Sequence, residues 1–230
     1  MLRPENFAAE YYRKLGYQVH ICERRLINTL VAAFLWTVIC DSDDPLSRIC
    51  GIGWRGERFS KLDPSSFDER YGLLLRLPID FGSRAYYTRR NETIEEWVDL
   101  HRRGGQLIEL YDYFLEVSTG LREYLWVCNT ESEELTRAAL EIIPKDMVIK
   151  MIMWTIEDFW DRHHGWPDLF IYDNKEFLFV EVKSPKDRLS LDQMRWFKWA
   201  IENHIPCEIC RLNKKQAQSR IAHNHVDDIV

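Results

Sequence analysis

The chain has 230 residues, 46% hydrophobic and 30% charged, with ten Gly, eight Pro, and 13% aromatics that include nine Trp. That balance excludes a low-complexity, collagen-like or disordered chain and supplies enough apolar surface for a packed core without staples. With 31 Lys and Arg against 37 Asp and Glu, the formal charge of −6 lowers the expectation of a nucleic-acid binder.

The six cysteines stand at 22, 40, 50, 128, 207 and 210. Scattered through a chain of this length, they fit a reducing compartment better than a disulfide framework. Residues 1–5 lead into a polar segment with no apolar h-region, so no secretory signal is expected. In chain order, residues 7–15 have helical spacing and stop at Gly16, whose tolerance of positive φ suits a helix end. Residues 17–22 alternate like a short strand. The run LINTLVAAFLWTVIC over 26–40 is fifteen residues long and includes Asn28, Thr29 and Thr37, where about twenty apolar residues are needed to span a bilayer. It reads as one buried helix, and no membrane association is expected.

Residues 41–70 are dense in Asp, Ser, Pro and Gly and read as a long surface loop. Two amphipathic helices are expected over 92–103 and 106–117, separated by Gly104 and Gly105. Thr130 with Glu133 forms a capping-box pattern for a helix to about Ile143, closed by Pro144. A further helix over 146–162 sets Ile149, Ile152, Met153, Ile156 and Trp160 on one apolar face. The period then changes to that of strands at 169–172 and 177–183, joined by a short turn that reads as a hairpin. Ser190 and Gln193 give a second capping box for a helix to about Asn203, and 207–212 reads as a strand.

The most informative stretch is GWPDLFIYDNKEFLFVEVK over 165–183, where Pro167-Asp168, twelve intervening residues and Glu181-Val182-Lys183 form a PD-(D/E)xK arrangement. Side chains on a strand alternate between faces, so Glu181 and Lys183 share a side with Phe177 and Phe179. A hairpin would bring Asp168 beside Glu181, and two converging carboxylates suit Mg²⁺ or Mn²⁺, hard ions that keep waters for reaction. Lys183 would then place a positive charge beside a developing oxyanion or orient the attacking water. E-V-K alone is common on half-buried strands as a simple salt bridge; the preceding PD and hairpin are what favour chemistry.

The run GWPDLFIYDNKEFLFVEVKSPKDRLSLDQMRWFKWA, with AAEYYRKLGYQVHICERRLINTLVAAFLWTVI and LPIDFGSRAYYTRR upstream, resembles the virus-type replication-repair nuclease (VRR-NUC) domain. In particular it resembles the C-terminal nuclease of the Fanconi-associated nuclease family. The resemblance implies an α/β PD-(D/E)xK restriction-endonuclease-like core, with a mixed sheet, flanking helices and a helical insertion between the Glu23 segment and the Asp168 hairpin. It implies Glu23, Asp168 and Glu181 as metal-binding carboxylates, the main-chain carbonyl of Val182 as a further ligand, Lys183 as the catalytic lysine and Gln193 as a supporting residue. Glu23 would not be chosen by spacing, because an acid after a short strand is ordinarily solvated.

The expected organisation is 1–143 as a helical lead-in carrying Glu23, 144–217 as the nuclease core and 218–230 as a tail. The implied activity is Mg²⁺- or Mn²⁺-dependent, structure-selective hydrolysis of DNA, as a 5′-flap endonuclease and 5′-to-3′ exonuclease in interstrand-crosslink repair. Flap or branched DNA and repair proteins would be the partners, with the nucleus as the location in a eukaryote and the cytoplasm otherwise. A catalytically silent DNA-binding repair module and a Holliday-junction resolvase or restriction-like endonuclease are the alternatives. Residues 184–220 hold eight basic side chains against four acids, and Lys186, Arg188 and Lys198, joined by Arg89 and Arg90, are the candidate DNA contacts. Residues 41–75 are longer than the family's usual link. Larger family members carry a SAP-type domain and helical repeats ahead of the nuclease, which leaves a stand-alone nuclease and a piece of a longer product as alternatives.

Three other patterns carry less. Gly51, Gly53 and Gly56 satisfy G-x-G-x-x-G, but no strand is expected before them and no helix after, so no nucleotide cofactor is expected. Cys207 and Cys210 form a lone C-x-x-C without a second ligand pair, which reads as core packing. His163 and His164 would point in different directions on one helix and so make a poor metal pair.

Overall fold

The computed structural model describes residues 3–52 and 73–212. In chain order the elements are α1 (Pro4–Lys14), β1 (Gln18–Ile21), α2 (Arg25–Phe34), α3 (Trp36–Ile39), β2 (Ser47–Ile52), β3 (Leu73–Pro78), α4 (Arg84–Arg103) and α5 (Leu107–Val117). They continue with α6 (Thr119–Tyr124), α7 (Thr130–Ile142), α8 (Lys145–Ile156), α9 (Phe159–Arg162), β4 (Leu169–Tyr172), β5 (Phe177–Lys183), α10 (Leu191–Glu202) and β6 (Cys207–Arg211). Two compact units divide the chain, Met1–Glu23 with Gly165–Val230, and Arg24–His164. The second is the helical insertion expected between Glu23 and the Asp168 hairpin.

The first unit is built on a four-stranded sheet in the order β1-β4-β5-β6. β4 pairs antiparallel with both β1 and β5, whereas β6 runs parallel to β5 after the α10 crossover. The sheet is therefore mixed, as in a restriction-endonuclease-like core. Alternation along the strands sorts its two faces. Leu169, Ile171, Val180 and Val182 pack against Ala8, Ala9 and Tyr12 of α1. On the other face the Phe170 and Phe179 rings lie 5.4 Å apart, and Phe179 meets Trp196 of α10 at 5.7 Å. Phe170, Phe179 and Trp196 are fully buried, which stabilises the unit by about 1.5–3 kcal/mol per side chain. The hairpin turn is fixed by Asp173, whose Oδ1 accepts from the amides of Lys175 and Glu176 at 2.7 and 2.9 Å.

Sequence boundaries in this unit hold closely. α1 starts earlier than expected because Pro4 suits the first helical turn, and Gly16 follows its end with φ +98°. The Ser190–Gln193 capping box is present in both halves. Cys207 and Cys210 stand three apart on β6 and so project to opposite faces; Cys210 packs on the α1 side of the sheet.

The second unit departs more often. The helix expected over 26–40 is broken at Leu35 (φ −115°) into α2 and α3. The Phe34 carbonyl, which a continuous helix would give to the Val38 amide, accepts instead from Trp97 Nε1 at 2.6 Å and faces His101 Nε2 at 3.3 Å. Val38 N donates to Leu35 O. The helix expected over 146–162 also divides, into α8 and α9, since Trp160 is held by the preceding loop: its amide donates to Gly82 O and its indole to Phe81 O. Trp160 consequently leaves the apolar stripe and is 37% exposed.

Within the expected 41–70 loop, β2 pairs antiparallel with β3 from Ser47↔Pro78 to Ile52↔Leu73. Apolar residues lie on both sides of this ribbon, with Leu77 buried and Ile49 and Leu74 exposed, which hides the period of two. Residues 53–72, including Gly53, Gly56 and 59–66, lie outside the described residues. Gly51 sits inside β2, correcting the expectation that no strand precedes the glycine-rich run. α4 begins at Arg84, eight residues before the expected start at 92, because Ser83 Oγ accepts from Tyr86 N. α7 is capped by Asn129, which accepts from Ser132 N, so the cap lies one residue before the expected Thr130. Among the described residues no helix is long and apolar enough to cross a membrane.

Candidate active site

Three backbone events at one end of the first unit's sheet gather the acids. The Cys22 amide donates to Asp168 O at 2.7 Å, which places the Glu23 turn directly beside Pro167-Asp168. Asp168 Oδ2 accepts from the Val182 amide at 2.7 Å, so this side chain bridges from the start of β4 to the end of β5. Glu181 and Lys183 then follow on the Phe179 face by alternation. Glu23 itself has φ +43°, an uncommon conformation for a non-glycine residue, and is exposed.

Glu181 is the centre of the polar cluster. Its side chain is 1% exposed, and Oε1 meets Lys183 Nζ at 2.8 Å. The same oxygen accepts from Gln193 Nε2. Gln193 Oε1 accepts from Lys183 Nζ and from the Ser190 amide, both at 2.9 Å, so the capping box of α10 and the acid–lysine pair share one side chain. One side chain thus caps α10 and contacts both Glu181 and Lys183. Oε2 of Glu181 is buried and has no hydrogen-bond partner. Burial drives the Glu181 carboxyl up to about 7, only partly offset by the Lys183 ammonium. Asp168 is pushed up to about 6, again chiefly by burial; the Val182 amide opposes the shift, and the negative charges of Glu5 and Glu23 add to it.

A divalent cation fits this donor set. Among the described residues no group of three or more His, Cys, Asp or Glu side chains is placed to hold a metal ion, so the fit rests on fewer protein ligands. Mg²⁺ and Mn²⁺ commonly take one or two carboxylates and complete their shell with water, so a preformed cage is not required. The buried unpartnered Oε2 of Glu181 is the observation that supports the fit, since such an oxygen is costly unless a cation or donor meets it. At Val182 the amide donates to Asp168 Oδ2 at 2.7 Å, and the carbonyl that the resemblance implies as a ligand is a separate group of the same residue.

The candidate DNA contacts separate into two kinds. Lys186 and Arg188 are exposed on the connection between β5 and α10, and Lys198 on α10 has 78% of its side chain exposed, with Glu202 at 4.0 Å. Arg89 and Arg90 belong to the second unit and are engaged there. Arg89 bonds Asp44 at 2.8 Å and Asp80 at 2.9 Å, and Arg90 bonds Asp41 at 2.7 Å. Their charge is compensated locally. Lys214, Lys215, Arg220 and the 218–230 tail lie outside the described residues.

His163 is buried, with Nδ1 2.9 Å from Phe159 O and its ring stacked on Phe159 at 5.0 Å. Desolvation lowers its pKa to about 4, so it is a neutral core residue. Its ring lies 3.9 Å from that of His164, correcting the expectation that the two diverge; both follow the end of α9 rather than standing on a helix. Sequence reasoning missed Glu5, whose Oε2 is likewise buried without a partner. An acid in a first helical turn is too common to single out by pattern.

A family model described as the VRR-NUC domain matches residues 105–213. Similar curated proteins are Fanconi-associated nuclease 1 homologues. That of Arabidopsis thaliana is 29% identical over 156 residues, covering 65% of this chain and 17% of the relative. That of Pseudomonas aeruginosa is 24% identical over 203 residues, covering 87% and 32%. The Schizosaccharomyces pombe homologue is 20% identical over 211 residues, covering 91% and 27%. This chain therefore spans between a sixth and a third of the length of these relatives. A crystal structure of paFAN1 bound to 2-nucleotide 5′-flap DNA with a gap superposes with a TM-score of 0.69 at 23% identity, covering 93% of this chain and 35% of that one. The likeness shows the shared fold.

Proposed function

From the match of residues 105–213 to the VRR-NUC family model, we propose a metal-dependent, structure-selective DNA nuclease centred on Glu23, Asp168, Glu181 and Lys183. The observation that carries this reading is the cluster at the ends of β4 and β5, where Asp168 and the Lys183-paired Glu181 sit together and one Glu181 oxygen is buried without a partner. The solved neighbour's 5′-flap DNA supports flap or branched DNA as the substrate class. The relatives are named Fanconi-associated nuclease 1 homologues, and the resemblance to that family implies 5′-flap endonuclease and 5′-to-3′ exonuclease action in interstrand-crosslink repair, with repair proteins as partners and the nucleus as the location in a eukaryote.

Glu23, Asp168, Glu181 and the Val182 carbonyl would hold Mg²⁺ or Mn²⁺. Such an ion supplies Lewis acidity toward a phosphate oxygen and makes water a stronger nucleophile near neutral pH. The protein's own part is positional. Gln193 fixes the Glu181 carboxylate and the Lys183 ammonium through one amide, so neither must reorganise as charge develops. Lys183 lies within reach of an oxygen bound at Glu181 and would stabilise negative charge on the phosphate, or orient a water for in-line attack. Lys186, Arg188 and Lys198 would hold the phosphate backbone without reading sequence.

The test compares wild type with Glu181→Ala and Lys183→Ala on a labelled 5′-flap duplex in Mg²⁺ or Mn²⁺. Each change is expected to lower cutting by at least about a hundredfold. Undiminished cutting by both variants would sink the assignment. Wild-type protein that shifts flap DNA but never cuts it in Mn²⁺ would instead identify a silent binding module. Flap, nicked, four-way and linear substrates in parallel separate a flap nuclease from a junction resolvase or restriction-like enzyme.

A further inference from the structure

Resting on the reading of this site as a nuclease centre, we propose that Leu191 and Met194 form an apolar step on which the nucleobase beside the scissile phosphate rests. The feature belongs to a stripe on the outer face of α10. Leu191, Met194 and Ile201 are 76%, 46% and 67% exposed, although the inner face of the same helix buries Trp196, Phe197 and Ala200. Spacings of three and seven, with the exposed Lys198 between, put all of them on one side of the helix. The first turn of the stripe is the turn that carries Gln193, whose Nε2 donates to Glu181 Oε1 and whose Oε1 accepts from Lys183. Met194 follows Gln193 directly and Leu191 lies just before it, so both stand at the end of α10 that adjoins the acid–lysine pair. That end is held in place. It packs on Gly165, where an added Cβ would lie 2.4 Å from the Asp192 carbonyl carbon, and Ser190 closes its capping box.

The connection leading into this turn exposes Lys186 and Arg188. Cations on the approach and apolar side chains beside the acids match the two halves of a nucleotide. Phosphate oxygens take the ammonium and guanidinium groups, and a base presents a flat apolar face. In a stacked duplex both faces of each base are covered, whereas at a flap junction one face is free. Leucine and methionine are among the side chains that fill such a gap as wedges in DNA complexes. The step therefore favours a scissile bond beside an unstacked base, a source of structure selectivity that reads no sequence. A side chain that merely shapes α10 would affect every substrate alike, which makes the two roles separable.

The experiment measures kcat/KM of the whole chain in Mg²⁺ or Mn²⁺ on a labelled 5′-flap duplex and on a set carrying one abasic site at successive positions across the mapped cut. Wild type, Leu191→Ala, the Leu191→Ala, Met194→Ala double variant and the Leu191→Met, Met194→Leu exchange are compared, with melting and sedimentation of each. Wild type is expected to lose about fivefold or more at one abasic position. The double variant is expected to lose as much on the intact flap and nothing further at that position, and the exchange to cut as wild type does. Should the double variant not fold, Leu191→Ala decides by the same comparison. Equal loss on intact and abasic DNA, or no loss on either, overturns the base contact while leaving the nuclease reading intact. A wild-type dimer that the double variant turns into a monomer with cutting retained reassigns the stripe to a second copy of the chain and overturns it likewise. Wild-type protein that cuts none of these substrates overturns the nuclease reading and this inference together.

Discussion

Glu181 pairs with Lys183 and Gln193 yet is almost wholly removed from water, and desolvation outweighs both partners in setting its proton affinity. Asp168 follows the same rule at about 6, Glu181 at about 7. Both values lie above those of the unfolded chain, so folded protein binds these protons more tightly. In chelator their stabilising contribution is complete below the unfolded values and is lost as pH rises through about 6 and about 7. Cation binding requires the same protons to leave, so Mn²⁺ affinity and cutting should climb over that window. Melting curves in chelator and Mn²⁺ titrations from about pH 4 to about pH 8 check both slopes. Invariant cutting across the window would refute the coupling. Glu181 and Lys183 were legible because strand alternation fixes their common face. Glu23 was not, because its place beside Asp168 arises from a contact between segments far apart in the chain.

Caps and close approaches decide where the elements stop. Gly165, just ahead of Asp168, has φ +79°, and an added Cβ would lie 2.4 Å from the Asp192 carbonyl carbon in the first turn of α10. The clash is with backbone, so it cannot be relieved by a rotamer change. Gly165→Ala should destabilise the protein by about 2–4 kcal/mol and loosen the Ser190–Gln193 box. Urea titration measures the loss, and a change within about 0.5 kcal/mol would contradict the packing. The breaks between α2 and α3 and between α8 and α9 show the opposite case. There, side chains distant in sequence, Trp97 with His101 and Trp160 with its loop acceptors, capture or supply backbone hydrogen bonds. No local pattern announces them, and apolar periodicity alone extends each helix through its break.

Across the molecule, the charge of −6 misdescribes how charge is deployed. Glu23, Asp168 and Glu181 gather at the candidate cation site, and a bound cation would reverse the local field there. Asp41, Asp44 and Asp80 meanwhile neutralise Arg89 and Arg90 in the second unit. The exposed Lys186, Arg188 and Lys198 would then be the candidate cations for holding phosphate. Flap-duplex affinity, measured by fluorescence anisotropy in chelator, should be modest and fall with salt. Removing Lys186 or Arg188 should lower the log–log salt slope by about 0.9 for each phosphate that the side chain neutralises, whereas Arg89→Ala should leave it unchanged. Equal slopes for wild type and the Lys186→Ala, Arg188→Ala double variant would refute that division.

The hairpin of β4 and β5, the α10 capping box and the PD-(D/E)xK spacing are local patterns, each set by residues within a few positions of one another, and the sequence determined them by itself. Only the tertiary structure decided that the Glu23 turn joins Asp168 and that Gln193 serves both the cap and the Glu181–Lys183 pair. It also decided that Asp41, Asp44 and Asp80 engage Arg89 and Arg90. Burial and partner choice depend on chain segments brought together by sheet pairing and helix packing, and no spacing along one segment encodes them.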